Sequence, residues 1–141
     1  MNKPTRADEG YEAWMAHVPK AITCERPWRF YGYRKVLYLY DQCWDDCLEL
    51  IKHPLGRPVA RQLIRSAGSI SANIEEGYGR GWSKDRNYFL RVALGSARES
   101  KGWYYRAKAL ISSDTLGQRL ELSGEIVALL ITELQHQQSH R

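Results

Sequence analysis

The sequence predicts an all-α fold, an up-down-up-down four-helix bundle with an N-terminal extension. Two observations predict it. Apolar residues recur at steps of three and four in four successive stretches, the period of a helix with one buried face. Between those stretches lie short breaks rich in proline, glycine and serine, of the length that joins antiparallel neighbours. At 141 residues the chain is one domain's worth, able to hide roughly two-thirds of its unfolded surface. The assigned layout is an arm over 1–29, the bundle over 30–137 and a polar tail over 138–141.

The arm contains Pro4, Pro19 and Pro27 and mixed charge, with a short helix around Tyr11–His17 where Tyr11, Trp14, Met15 and Val18 cluster. Trp14 and Trp28 suit docking on a neighbouring subunit or partner; a loose tail is the alternative. The first bundle helix covers Phe30–Lys52. Tyr33, Leu37, Tyr40, Trp44, Cys47 and Ile51 form its apolar stripe, widened by Val36, Cys43 and Leu48. Asp41, Asp45, Asp46 and Glu49 form an acidic outer face. His53, Pro54, Leu55 and Gly56 make the first turn.

Pro58 suits a first helical turn, where its missing N–H costs nothing. From about Pro58 to Tyr78, the second helix carries Ala60, Leu63, Ala67, Ile70, Ile74 and Tyr78 in one stripe. Gly77, Gly79 and Gly81 are suited to ending it with positive φ. Ser83 is the expected N-cap of the third helix, whose buried face reads Phe89, Val92, Ala93, Ser96, Ser100, Trp103, Ala107 and Ile111. Asp114 is the expected cap of the fourth helix, about Thr115–Gln137. That helix has two stripes. One is Leu116, Leu120, Val127, Leu130 and Leu134; the other is Leu122, Ile126 and Leu129. The second stripe needs a cover, and another subunit is the simplest one.

Charge is unevenly placed. Arg57–Lys108 holds 11 basic residues against 4 acidic ones, while the segments Phe30–Gly56 and Ala109–Arg141 are each slightly acidic. The net charge of +5 and pI near 9.2 favour an anionic partner, nucleic acid first. On the third helix Lys84, Arg91, Arg98 and Arg106 fall within an arc of about 80°. Gly95 and Gly102 share that side, as if another helix or a phosphate backbone approached closely.

The run SISANIEEGYGRGWSKDRNYFLRVALGSARES resembles the bacterial four-helix-bundle proteins first noticed in intervening sequences of large-subunit ribosomal RNA genes. The matching residues are Arg65, Ala67, Ser69, Ile70, Asn73, Ile74, Glu76, Gly77, Arg80, Ser83, Lys84, Phe89, Leu90, Ala93, Gly95, Ser96 and Glu99. The close match covers about a third of the chain, and the helix layout extends it to about Phe30–Gln137. Ile64 stands where the family usually carries a second basic residue, and Met1–Arg29 is longer than the family's usual N-terminus. The resemblance implies an up-and-down bundle that assembles as a pentamer. For a subset of members it implies an accessory role beside the reverse transcriptase of a diversity-generating retroelement, with a basic ring binding RNA and the enzyme.

Chemistry-bearing patterns are sparse. Cys43 and Cys47 lie one turn apart, but zinc needs further ligands at defined spacing. His17, His53, His136 and His140 form no Glu-x-x-His pattern, so no di-iron bundle and no other metal or cofactor is expected. Glu75 and Glu76 point in different directions and make no acid–base pair; Glu76 and Glu99 suit interhelical ion pairs. Asn73 suits a hydrogen bond between helices. Gly77–Gly81 follows a helix and lacks the Lys-Ser/Thr of a phosphate-binding loop. No catalytic constellation is present, so no enzyme is expected. Three cysteines without a framework fit a reducing cytoplasm, and no apolar run reaches the length of a membrane span.

The expected function is therefore an oligomeric, non-enzymatic bundle that binds RNA through Arg57, Arg61, Arg65, Arg80, Lys84, Arg91, Arg98 and Arg106. Tyr78, Trp82, Tyr88 and Tyr105 are its candidate base-stacking residues. The alternative is a protein–protein assembly module that binds no nucleic acid and whose arginines pair with acidic helices of adjacent subunits.

Overall fold

The computed structural model describes residues 7–80 and 84–139. The N-terminal segment folds as a 3-10 turn (Ala7–Glu9), α1 (Tyr11–Ala16), α2 (Lys20–Thr23) and a second 3-10 turn (Arg26–Arg29). Four long helices follow: α3 (Tyr31–Leu50), α4 (Gly56–Gly79), α5 (Lys84–Arg106) and α6 (Ser113–Ser139). No strand occurs among the described residues. Each long helix packs on the next, and α6 returns to α3, closing a four-helix bundle. Contacts run in opposite order along each neighbouring pair. Tyr33 meets Glu75 and Cys47 meets Ala60 across α3 and α4; Ser66 meets Ser100 and Ser69 meets Ser96 across α4 and α5. The helices are therefore antiparallel, as the short connections require.

The α4 stripe is the clearest case of pattern becoming structure. Ala60, Leu63, Ala67, Ile70, Ile74 and Tyr78 are all buried. Each fully buried Leu or Ile contributes about 1.5–3 kcal/mol by leaving water. The turn before α4 is tight because a Cβ at Gly56 would collide with the Leu50 carbonyl oxygen. Gly77 serves close packing rather than positive φ. A Cβ there would sit 3.2 Å from the Arg86 carbonyl oxygen and 3.3 Å from Phe89 Cβ. Among the described residues, the positive φ expected of the glycines after α4 occurs only at Gly10.

Elsewhere the buried faces are rotated from the expected ones. On α3 the core residues are Tyr33, Val36, Leu39, Cys43, Cys47 and Leu50, while Trp44 and Ile51 are 48% and 45% exposed. Asp46 is not on an outer acidic face. Its carboxylate accepts from Tyr104 Oη at 2.7 Å and pairs bidentately with Arg119, at 2.7 and 3.1 Å. On α5 the buried line is Leu90, Ala93, Ala97, Ser100, Tyr104 and Ala107; Phe89, Val92, Ser96, Trp103 and Ile111 are only half-buried. On α6 the stripe expected to need a subunit is covered by this chain. Leu122 and Ile126 are buried with Leu130 and Leu134, and Leu116, Leu120, Val127 and Leu129 pack half-buried beside them. That argument for an oligomer falls away. Ser112, not Asp114, caps α6: its Oγ accepts the Thr115 N–H at 3.1 Å. Ser83 lies outside the described residues.

The N-terminal segment packs on its own bundle. Trp14 is buried, its indole N–H donates to Asp41 at 2.7 Å, and its ring lies 5.4 Å from that of Tyr38. Lys35 Nζ sits 4.0 Å from the centre of the Tyr11 ring. The carbonyl of Ala7 accepts from Tyr38 Oη. Neither a loose tail nor a neighbouring subunit is needed to account for Trp14.

Candidate nucleic-acid interface

The exposed faces of α4 and α5 carry the basic residues. They lie outward because the opposite faces of these two helices are pressed together by small side chains. The Ser66 and Ser100 hydroxyls meet at 2.9 Å, as do those of Ser69 and Ser96. Asn73 does not bridge the helices. Its amide donates to the carbonyl and hydroxyl of Ser69 one turn back, while Ser69 makes the crossing to Ser96.

All eight expected phosphate-binding residues are exposed, but they are not equivalent. Arg65 donates to Glu99 at 3.0 Å across the α4–α5 seam, the interhelical pairing expected of Glu99. Arg80 pairs with Glu76 at 3.0 Å within α4, so Glu76 does not serve an interhelical pair. Arg57 Nε donates to the Ile51 carbonyl, and the Arg106 guanidinium lies 4.7 Å from the Trp103 ring centre. Among the described residues Arg61, Lys84, Arg91 and Arg98 make no ion pair. Exposed pairs such as Arg65–Glu99 contribute only about 0–1 kcal/mol, so a phosphate can compete for them. Gly95 has open space over it, and Gly102 faces its own Arg106. Among the described residues nothing lies within 4 Å of a Cβ built at Gly95.

The aromatic set divides. Tyr88 and Tyr105 are 57% and 55% exposed, Tyr88 edge-on to Phe89 and Tyr105 beneath the Lys108 ammonium. Trp82 lies outside the described residues. Tyr78 is removed from the set. It is buried, stacked on Phe30, overlain by the Arg86 guanidinium at 3.9 Å, and its hydroxyl donates to Glu133 at 3.0 Å. Burial and then the Glu133 charge push the phenol up to about 12. Tyr78 stands both in the apolar stripe of the second helix and among the stacking candidates, and its burial agrees with the stripe.

Asp46, Tyr104 and Arg119 form one hydrogen-bonded cluster in the interior. Burial pushes the Tyr104 hydroxyl well up, and its bond to Asp46 adds to this. Burial alone would lower Arg119, but the Asp46 carboxylate outweighs it and the net shift is upward. The Cys43 and Cys47 sulfurs lie 3.9 Å apart, and Cys47 donates to the Ala60 carbonyl. The bond to Cys47 and burial raise the Cys43 thiol far above its ordinary range, so neither metal-binding thiolate nor nucleophile forms readily there. Among the described residues no group of three or more His, Cys, Asp or Glu is placed to hold a metal.

Sequence reading missed one feature of this surface. Trp44 and Ile51, taken as core, line a cleft with Leu48 and Ile64 whose volume is about 610 Å³, and Arg57 and Arg61 stand beside them. A hydrophobic count along α3 could not find it, because these side chains look like any others of the apolar face.

Comparison with protein families matches residues 46–132, more than half of the 141 residues, to the 23S rRNA-intervening sequence protein. The chain belongs to the 23S rRNA-intervening sequence protein family. The match begins at Asp46 and ends within α6, so it takes in the whole α4–α5 hairpin and its basic faces. The segment 1–45, with the docked arm and most of α3, lies outside it. No curated protein and no solved structure matches the chain. No described helix is long and apolar enough to cross a membrane.

Proposed function

We propose that this protein is a non-enzymatic helical scaffold that binds structured RNA through the exposed basic faces of α4 and α5, and does so as a ring of identical subunits. The observation that carries this reading is the set Arg61, Lys84, Arg91 and Arg98. These four cations are exposed and without an ion-pair partner among the described residues, on two helices joined by a serine seam. Arginine dominates the set, and its planar fork suits phosphate. Assembly multiplies such contacts by the number of subunits. The most concrete form is a pentameric accessory subunit of a diversity-generating retroelement reverse transcriptase, acting in the cytoplasm.

The test is binding to a structured RNA across a salt series, with the mass measured on the same sample. Log affinity should fall linearly with log salt as phosphates displace counterions. Replacing Arg91 and Arg98 by Glu should abolish binding and leave the mass unchanged. Loss of mass with that variant, or an intact assembly that binds no RNA at low salt, would overturn the reading in favour of a protein–protein assembly module.

A further inference from the structure

We propose that the cleft between the second half of α3 and the start of α4 seats an unpaired base of single-stranded RNA on Trp44, while Arg57 and Arg61 hold the adjoining phosphates. This rests on the RNA-binding reading above and adds to it a site that combines a ring, a concavity and cations.

Three observations point to this occupant. The first is exposure. Trp44 and Ile51 are half open to water, and Leu55 in the adjoining turn is 83% exposed. A large indole left in that state inside a concavity is a contact surface waiting for a flat apolar partner. The second is charge. The two side chains flanking the apolar floor are both arginines. Arg57 is tied only through Nε to the Ile51 carbonyl, which leaves its two terminal nitrogens available, and Arg61 has no ion-pair partner among the described residues. The start of α4 adds the positive end of a helix dipole. An anionic ligand with an apolar face matches this; a purely apolar one does not. The third is what the floor lacks. Leu48, Ile51 and Ile64 offer no hydrogen-bonding group, Trp44 offers only its indole N–H, and the Cys47 thiol is already given to the Ala60 carbonyl. One donor does not discriminate the four bases, so stacking would be tolerant of sequence. A paired base cannot enter a concavity, so the strand must be single.

The cleft also stands in for the stacking residue that the structure withdraws. Tyr78 is locked inside the bundle, whereas Trp44 presents its ring beside two arginines.

The experiment measures binding of a short fluorescein-labelled oligouridylate, and of a fully paired RNA duplex of equal length, to the full chain and its variants. Mass and helical content are recorded for each. Trp44→Ala should weaken oligouridylate binding roughly 5- to 150-fold, the range for losing one stacked base, and more than it weakens duplex binding. Trp44→Tyr should restore most of it. Arg57→Gln with Arg61→Gln should lower the salt slope on the single strand by about 1.4, two contacts at about 0.7 each. Unchanged oligouridylate binding in Trp44→Ala overturns the inference while duplex binding keeps the RNA reading standing. A fall in mass on Trp44→Ala, with RNA binding retained, overturns it in favour of a second copy covering the cleft. Failure of the unmodified protein to bind either RNA removes the RNA reading itself.

Discussion

The two halves of α3 face the outside in opposite ways. Along the first half, the chain's own N-terminal segment lies over the helix. Trp14 is buried there, donates to Asp41, and stacks among Tyr11 and Tyr38. Along the second half, Trp44 stands half open, and no described segment lies over it as Trp14 and its neighbours lie over the first half. The two tryptophans thus meet the same helix under opposite conditions. The difference shows that an aromatic side chain carries no label saying whether it belongs to a core or to a contact surface. The deciding factor is which segment reaches it.

Two carboxylates of α3 also have defined roles, Asp41 beneath the covering segment and Asp46 beyond it, and replacing these acids and the two tryptophans tests the comparison. The largest effect is expected at Asp46, in the second half. Asp46→Ala leaves the Arg119 guanidinium buried without its partner, and should lower unfolding free energy by about 3–5 kcal/mol in urea denaturation. Next comes Trp14→Ala, which removes the anchor of the covering segment. About 3 kcal/mol is expected, and amide exchange should rise first in residues 7–18 while α4 and α5 stay protected. Equal exchange across the bundle would mean that the segment is part of the core rather than a cover.

A smaller effect distinguishes the two carboxylates by pH. Burial raises the Asp41 pKa, the Trp14 bond lowers it, and the Asp45 charge raises it further, for a net rise. A carboxyl with a raised folded-state pKa costs stability above that pKa, where it must be charged, and stops costing once it is protonated in both states. Asp41→Asn keeps an acceptor for the indole and removes the charge. It should melt at or slightly above the parent's temperature at pH 7, with the difference closing as pH falls through the Asp41 titration. A variant that melts lower at pH 7 would show the charge to be stabilising. The smallest effect belongs to Trp44→Ala, which should leave stability within about 0.5 kcal/mol, as for other exposed positions. A loss as large as that of Trp14→Ala would erase the contrast between the two halves.

How much of this was legible in the sequence depended on how far away the partners were. The α4 stripe could be read because small and aliphatic residues repeat without competitors, and every member proved buried. On α3 and α5, large aromatics competed for the same arc. Trp44 and Trp103 outweighed Leu39, Leu50 and Leu90 in the count, yet the leucines hold the core. Local hydrophobicity cannot say toward which neighbour a helix turns. Asp46 was unreadable for a sharper reason: its partner Arg119 is 73 positions later in the chain. The basic faces were legible because charge needs no partner to be counted. The appearance of the Trp44 cleft was not, because it follows from where α4 lies beside α3.

The ion pairs of α6 bear on how this protein is made. Arg119 meets Asp46, and Glu133 approaches Arg86 at 3.8 Å, with both partners of each pair largely shielded from water. During synthesis α3 and α5 leave the ribosome first, bearing an acid and a base whose counter-charges have not yet been translated. A three-helix intermediate that closed early would strand Asp46 and Arg86 in an apolar interior at a cost of several kcal/mol. A chain that ends before α6 is therefore expected not to pack tightly.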